Sequence, residues 1–183
     1  MPNRHAFLPQ FRPVPHPGGR AVRVSPHLSS LSMIQRDVLM RQIRQLGQAL
    51  AEIVTAADTG RPNAVLEDID EAVRIHLDGT AADLRTLPPE TLLAMCEDGS
   101  RFEPEAAQTL ARLLNVQGEA HRERDEDEKA GACFGRSLLL YRRLLQEPDA
   151  PVSWQVGTTV AALTDRVESL PTDDDVQSAL KAL

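Results

Sequence analysis

Carboxylates are the residues this chain offers most freely for chemistry. Glu67, Asp68, Asp70 and Glu71 crowd one short stretch, Asp125 to Glu128 a second, and Asp173 to Asp175 a third. General acid–base catalysis needs two carboxyl groups held in one cleft with separated proton affinities. Runs of this kind instead suit solvated helix faces and helix starts. A di-iron bundle needs Glu-x-x-His on facing helices. Here Glu71 and His76 stand five apart, and His121 and Glu123 stand two apart, off any shared helical face. His5, His16 and His27 recur at intervals of eleven, in a segment with no means of converging them on a metal. Gly18-Gly19 is not followed by a strand–helix unit, so no phosphate-cradling loop is written, and no Ser or Cys sits beside a plausible base. The reading is therefore of no enzyme, with no catalytic, cofactor-binding or metal-binding residues and no cofactor.

Something must still position these side chains, and composition bounds what it is. The 183 residues suffice for one domain with a real core. Aromatics make up only 3%, so that core must be Leu, Val, Ile and Ala, side chains that pack helix on helix. A net charge of −7 and a pI near 5.2 argue against nucleic acid or an anionic membrane surface as partner. No apolar run approaches the ~18 residues of a membrane span, and the N-terminus lacks the apolar stretch of a secretory signal. Cys96 and Cys133 have no CxxC partners; buried, reduced thiols in the cytoplasm are the expectation, with a disulfide between them left open.

Six of the 13 prolines fall in residues 1–32, along with Arg4, Arg12, Arg20 and Arg23 and no acids. That segment reads as a disordered or loosely attached Pro/Arg-rich arm. The ordered domain is expected over 33–183, with Ser32 as a cap and Met33 as a candidate beginning. Leu39, Ile43, Leu46, Leu50, Ile53 and Ala57 recur at helical spacing and predict a helix over 34–57. Pro62 starts a second, over 62–77, with Val65, Leu66, Ile69, Ala72, Val73 and His76 inward. Thr80 caps a short piece, Pro88-Pro89 breaks it, and PETLLAMCED continues helical to Gly99, with Leu92, Leu93, Met95 and Cys96 inward. Further helices are expected over 103–123, 126–146 (with Leu138, Tyr141, Leu144 and Leu145 inward) and 153–168. The last of these is capped by Ser153 and buries Trp154, Val160, Ala161, Leu163 and Val167. Thr172 caps a final amphipathic turn or two carrying Val176, Ala179, Leu180 and Leu183. No stretch shows strand alternation, so the fold class is all-α.

Residues 111–144, ARLLNVQGEAHRERDEDEKAGACFGRSLLLYRRL, resemble a tetratricopeptide repeat, a helix pair of about 34 residues in which small residues let two helices cross closely. Leu114 stands at a large apolar position, Gly118 and Ala130 at the small positions of the two helices, Phe134 at the aromatic position and Ser137 at a small one. The string DEDEKAGACFGRSL is similar to the family's common second-helix phrase. The chain departs from the pattern at His121, where an aromatic is usual, and at Pro148, which comes later than the repeat's proline. No second copy lies at a 34-residue offset, so neighbouring helices must cap the hairpin. The resemblance covers about a fifth of the chain and implies a helix-hairpin bundle or short right-handed superhelix. In such repeats the first helix lines a groove; here that face carries Arg112, Asn115, Glu119 and Arg122, of which the Arg and Asn side chains would grip a peptide carboxylate or backbone. The stretch MIQRDVLMRQIRQLGQALAEIV from Met33 resembles the start of a family of uncharacterised small bacterial helical proteins, a likeness that implies no function.

The function expected is a non-enzymatic adaptor or scaffold that binds an unknown protein or peptide. The alternatives are a structural homo-oligomer (a homodimer paired through the 39–57 stripe) and a small-molecule binder or enzyme whose pocket leaves no sequence signature. Gly118 and Ala130 are expected at a close helix crossing with Phe134 buried beside them.

Overall fold

A computed structural model describes residues 26–57, 61–77, 79–99, 101–148, 150 and 154–183; of residues 26–35 and 56–57 it describes the backbone alone. Eight helices and one small hairpin occur among them: α1 Pro26–Ala57, α2 Pro62–Leu77, α3 Ala81–Thr86, α4 Pro89–Ala94, β1 Glu97–Asp98, β2 Arg101–Phe102, α5 Pro104–Arg122, α6 Asp127–Leu145, α7 Trp154–Ser169 and α8 Asp174–Ala182. The mostly helical character matches the expectation from apolar spacing. The Pro-rich arm falls largely outside the described residues. Its last part does not: α1 begins at Pro26, eight residues ahead of the expected start, with proline at the head of the helix, where its missing N–H costs nothing. Ser153, expected as a cap, also lies outside the described residues.

The helices start and stop where local chemistry dictates. Proline heads α2, α4 and α5 as well. Thr80 closes a full capping box on α3: the Asp83 N–H donates to Thr80 Oγ1 at 3.1 Å, and the Thr80 N–H donates to Asp83 Oδ2 at 2.8 Å. The α5–α6 turn is a Schellman closure: the Glu126 N–H donates to the His121 carbonyl and the Asp125 N–H to the Arg122 carbonyl, each at 3.0 Å. Asp125 takes the left-handed position at φ 56°, where glycine is usual.

Two local expectations are corrected. The helix from Pro89 does not reach Gly99; it ends at Ala94, and Glu97–Asp98 pairs antiparallel with Arg101–Phe102. Gly99, at φ 65°, supplies the reversal. Phe102 anchors it, buried beneath the Arg143 guanidinium, which sits 4.5 Å above the ring centre. Two-residue strands are too short for alternation to mark them. Thr172 is not the cap of α8 either. Its hydroxyl donates to the Leu170 carbonyl, and Asp173 takes the cap position.

The core is layered. α1 and α2 form a hairpin, both pack on α5, α5 packs along α6, and α6 also carries α3, α4, α7 and α8. Ile43, Leu46, Leu50 and Ile53 are buried within this stack. These four residues of the 39–57 stripe are therefore packed inside the chain. The crossing of α5 and α6 is close at Gly118. A Cβ on Gly118 would lie 2.6 Å from Phe134 Cε1, and Ala130 and Phe134 are wholly buried.

The periodicity assigns one inner face to α6, yet every residue from Ala130 to Tyr141 except Ala132 is buried. A helix surrounded on all sides needs apolar or paired residues all round. The unexpected face is made by the C-terminal segment. A Cβ on Gly131 would overlap the Pro171 carbonyl oxygen, and one on Gly135 would press on Thr172. Arg136, 2% exposed, donates from Nε to the Leu87 carbonyl at 2.8 Å and from Nη1 to Asp173 Oδ2 at 2.7 Å. Leu145, Trp154 and Ala161, expected inward, are exposed, Trp154 by 79%. In α7 the buried positions are Val156 and Leu163, and Trp154 and Ala161, each two residues before one of them, lie off that face.

Candidate functional site

Arg112, Asn115, Glu119 and Arg122 do fall on one face of α5, as their spacing requires. α7 closes the middle of that face. Arg166 ion-pairs with Glu119, donates from Nη1 to Asn115 Oδ1 at 3.3 Å, and lays its guanidinium 5.0 Å from the centre of the Phe134 ring. Two polar groups and one aromatic ring thus hold a single cation across the α5–α6 crossing. Glu119 also takes Arg122 Nη2 at 2.9 Å. Arg112 and Arg122 remain exposed at the two ends of the stripe.

A broader groove lies where α6, α7 and α8 meet. α7 and α8 both pack on this helix and leave a channel of about 420 Å³ between them. Leu138 floors it, and Val167, Leu170 and Leu180 line its walls. Arg142, Glu168 and Lys181 stand among them. Arg142 Nη1 donates to the Leu180 carbonyl at 3.1 Å and so fixes α8 against α6. Gly131 and Gly135 let the Pro171–Thr172 segment, which joins α7 to α8, lie against α6.

A second, polar cleft of about 310 Å³ opens where α2, α3 and α5 meet. His121 sits at its edge, buried at 5% exposure. Its Nδ1 stands 2.6 Å from Glu126 Oε2 and its Nε2 stands 3.1 Å from Arg85 Nη1. A guanidinium has no lone pair to offer, so Nε2 must accept and the proton must sit on Nδ1, which donates to Glu126. Burial, helped by the Arg85 charge, holds the imidazole below its ordinary proton affinity despite the Glu126 hydrogen bond. Glu126 itself is held low, first by the His121 hydrogen bond and then by Lys129 and Arg124. One turn before His121, Gln117 is 2% exposed; its Nε2 donates to the Ala81 carbonyl at 3.2 Å and its Oε1 has no partner.

Sequence reasoning passed over this cleft. It read His121 as a departure from a repeat pattern and gave Gln117 and Arg85 no role. The one available signal was that Gln117 and His121 are four apart on the face that carries Leu114 and Gly118. Polar residues in an apolar stripe require partners from elsewhere in the chain.

Cys96 and Cys133 are both buried free thiols, each pushed up to about 12 by burial. Among the described residues no group of three or more His, Cys, Asp or Glu is placed to hold a metal, and no helix is long and apolar enough to cross a membrane. No protein-family model, curated protein or solved structure matches the chain.

Proposed function

We propose that the protein is an interaction module that receives an amphipathic helix of another protein in the channel between α7 and α8. The observation that carries this reading is the channel itself: an apolar floor and walls from Leu138, Val167, Leu170 and Leu180, with charges of both signs alongside. That is the arrangement a helix with one apolar seam fits, its apolar residues one turn apart entering the groove and its flanks meeting the charges. The repeat-like packing of α5 on α6 supports the same reading, because helix hairpins of this type present grooves beside their crossings. The α5 stripe proposed from sequence contributes its ends. Arg112 stays exposed and Arg122, though exposed, pairs with Glu119, while Asn115 and Glu119 are engaged by Arg166.

The test is affinity capture with the intact chain against the Val167→Glu variant, whose substitution lies on the half-buried wall of the channel. Partners held by the unaltered chain and lost by the variant, with circular dichroism unchanged, fit the proposal. Equal capture by both places the interaction elsewhere, and parallel loss in Arg112→Ala/Arg122→Ala would move it to α5.

A further inference from the structure

We infer that the cleft between α2, α3 and α5 is a binding site for a small zwitterion, a free α-amino acid with an aliphatic side chain. The inference is independent of the protein-docking channel, which is lined by α6, α7 and α8.

Gln117 carries the argument. It lines the cleft, is almost wholly buried, and offers an acceptor oxygen that nothing in the fold satisfies. Exchanging its amide oxygen and nitrogen does not resolve this. The nitrogen is fixed by the Ala81 carbonyl, and a flipped amide would set two acceptors face to face. A buried acceptor without a donor is destabilising, so the site favours a ligand that brings one. Arg85 supplies the complementary group. It is half-buried, its one hydrogen bond among the described residues goes to neutral His121, and it has no carboxylate partner among them. Gln117 and His121 are four apart on α5, and both line the cleft together with Arg85.

Charge across the cleft is segregated in the same sense. Glu67 and Asp70, whose Oδ1 also accepts the Ala81 N–H at 2.9 Å, line the α2 wall, and Arg85 and Arg124 come from α3 and the turn after α5. No ion pair joins the two walls among the described residues, although Arg124 does reach Glu126 at 3.0 Å. A ligand with an ammonium towards Gln117 and the α2 carboxylates, and a carboxylate on Arg85, completes both halves. Leu66, Ala81 and Ala82 supply apolar lining. The volume is near the lower limit of ordinary ligand sites, which selects a small molecule.

The experiment is calorimetric titration of the intact chain with L-leucine, L-leucinamide (no carboxylate) and 4-methylpentanoate (no amine). Saturable one-to-one binding of L-leucine is expected, with each analogue weaker by about tenfold or more, as the loss of a charge-assisted hydrogen bond implies. Arg85→Gln should weaken L-leucine by a similar factor. The analogue series uses the unaltered protein, so it decides the matter even if that variant fails to fold. No saturation by L-leucine at millimolar concentration overturns the inference. So does equal binding of 4-methylpentanoate, which would leave a simple anion site, or of leucinamide, which would leave a cation site.

Discussion

His121 shows how one side chain ties the α5–α6 turn to α3. Because the fold holds it neutral, its contribution to stability is fully present above its unfolded value of about 6.5. It is lost as pH falls through the lower value it has in the fold. Protonation would set an Nε2–H against the Arg85 guanidinium. Urea midpoints should therefore fall from pH 7 to pH 5, ahead of the loss expected from Glu126, a carboxylate whose lowered proton affinity delays its own titration. His121→Leu should flatten that part of the profile; an unchanged slope would show that another group titrates. Gly118 is the second decisive residue. Gly118→Ala gains helix propensity but drives a Cβ into the buried Phe134 ring, and overpacking of this kind outweighs the gain. A net loss of about 1–2 kcal/mol is expected from denaturant unfolding. The two thiols should resist alkylation in the native protein at pH 8 and react on unfolding, because burial keeps them protonated.

Among the elements, α2 and α6 mark how much of the fold could be read in the chain. The bounds of α2 were legible to the residue because Pro62 opens it and its apolar spacing is unbroken. The α5–α6 hairpin was legible through Gly118, Ala130 and Phe134, whose sizes demand a close crossing. The full burial of α6 was not. Arg136 reads as a surface residue until the Leu87 carbonyl and Asp173, far off in sequence, are brought to it. Gly131 and Gly135 read as weak helix formers until the Pro171–Thr172 segment lies on them. For the same reason the α5 stripe looked open: spacing places Asn115 and Glu119 on one face but cannot announce Arg166. Arg136→Met should cost about 2 kcal/mol, since it strands the Leu87 carbonyl and releases the start of α8. Asp173→Ala should cost less, because that carboxylate is half exposed and water screens the pair.

At the scale of the whole molecule, the helices stack around α6, and two concavities are lined by different sets of helices. One is an apolar channel between α7 and α8, suited to a partner's helix. The other is a polar cleft under α3, suited to a small dipolar molecule. Ile43, Leu46, Leu50 and Ile53 of α1 are packed inside the stack. The most direct measurement is hydrogen exchange of the chain alone and in complex with its captured partner. The account predicts new protection in residues 138–142 and 164–181, with residues 112–122 changed little. Protection centred on 112–122, with the channel exchanging as before, would contradict it.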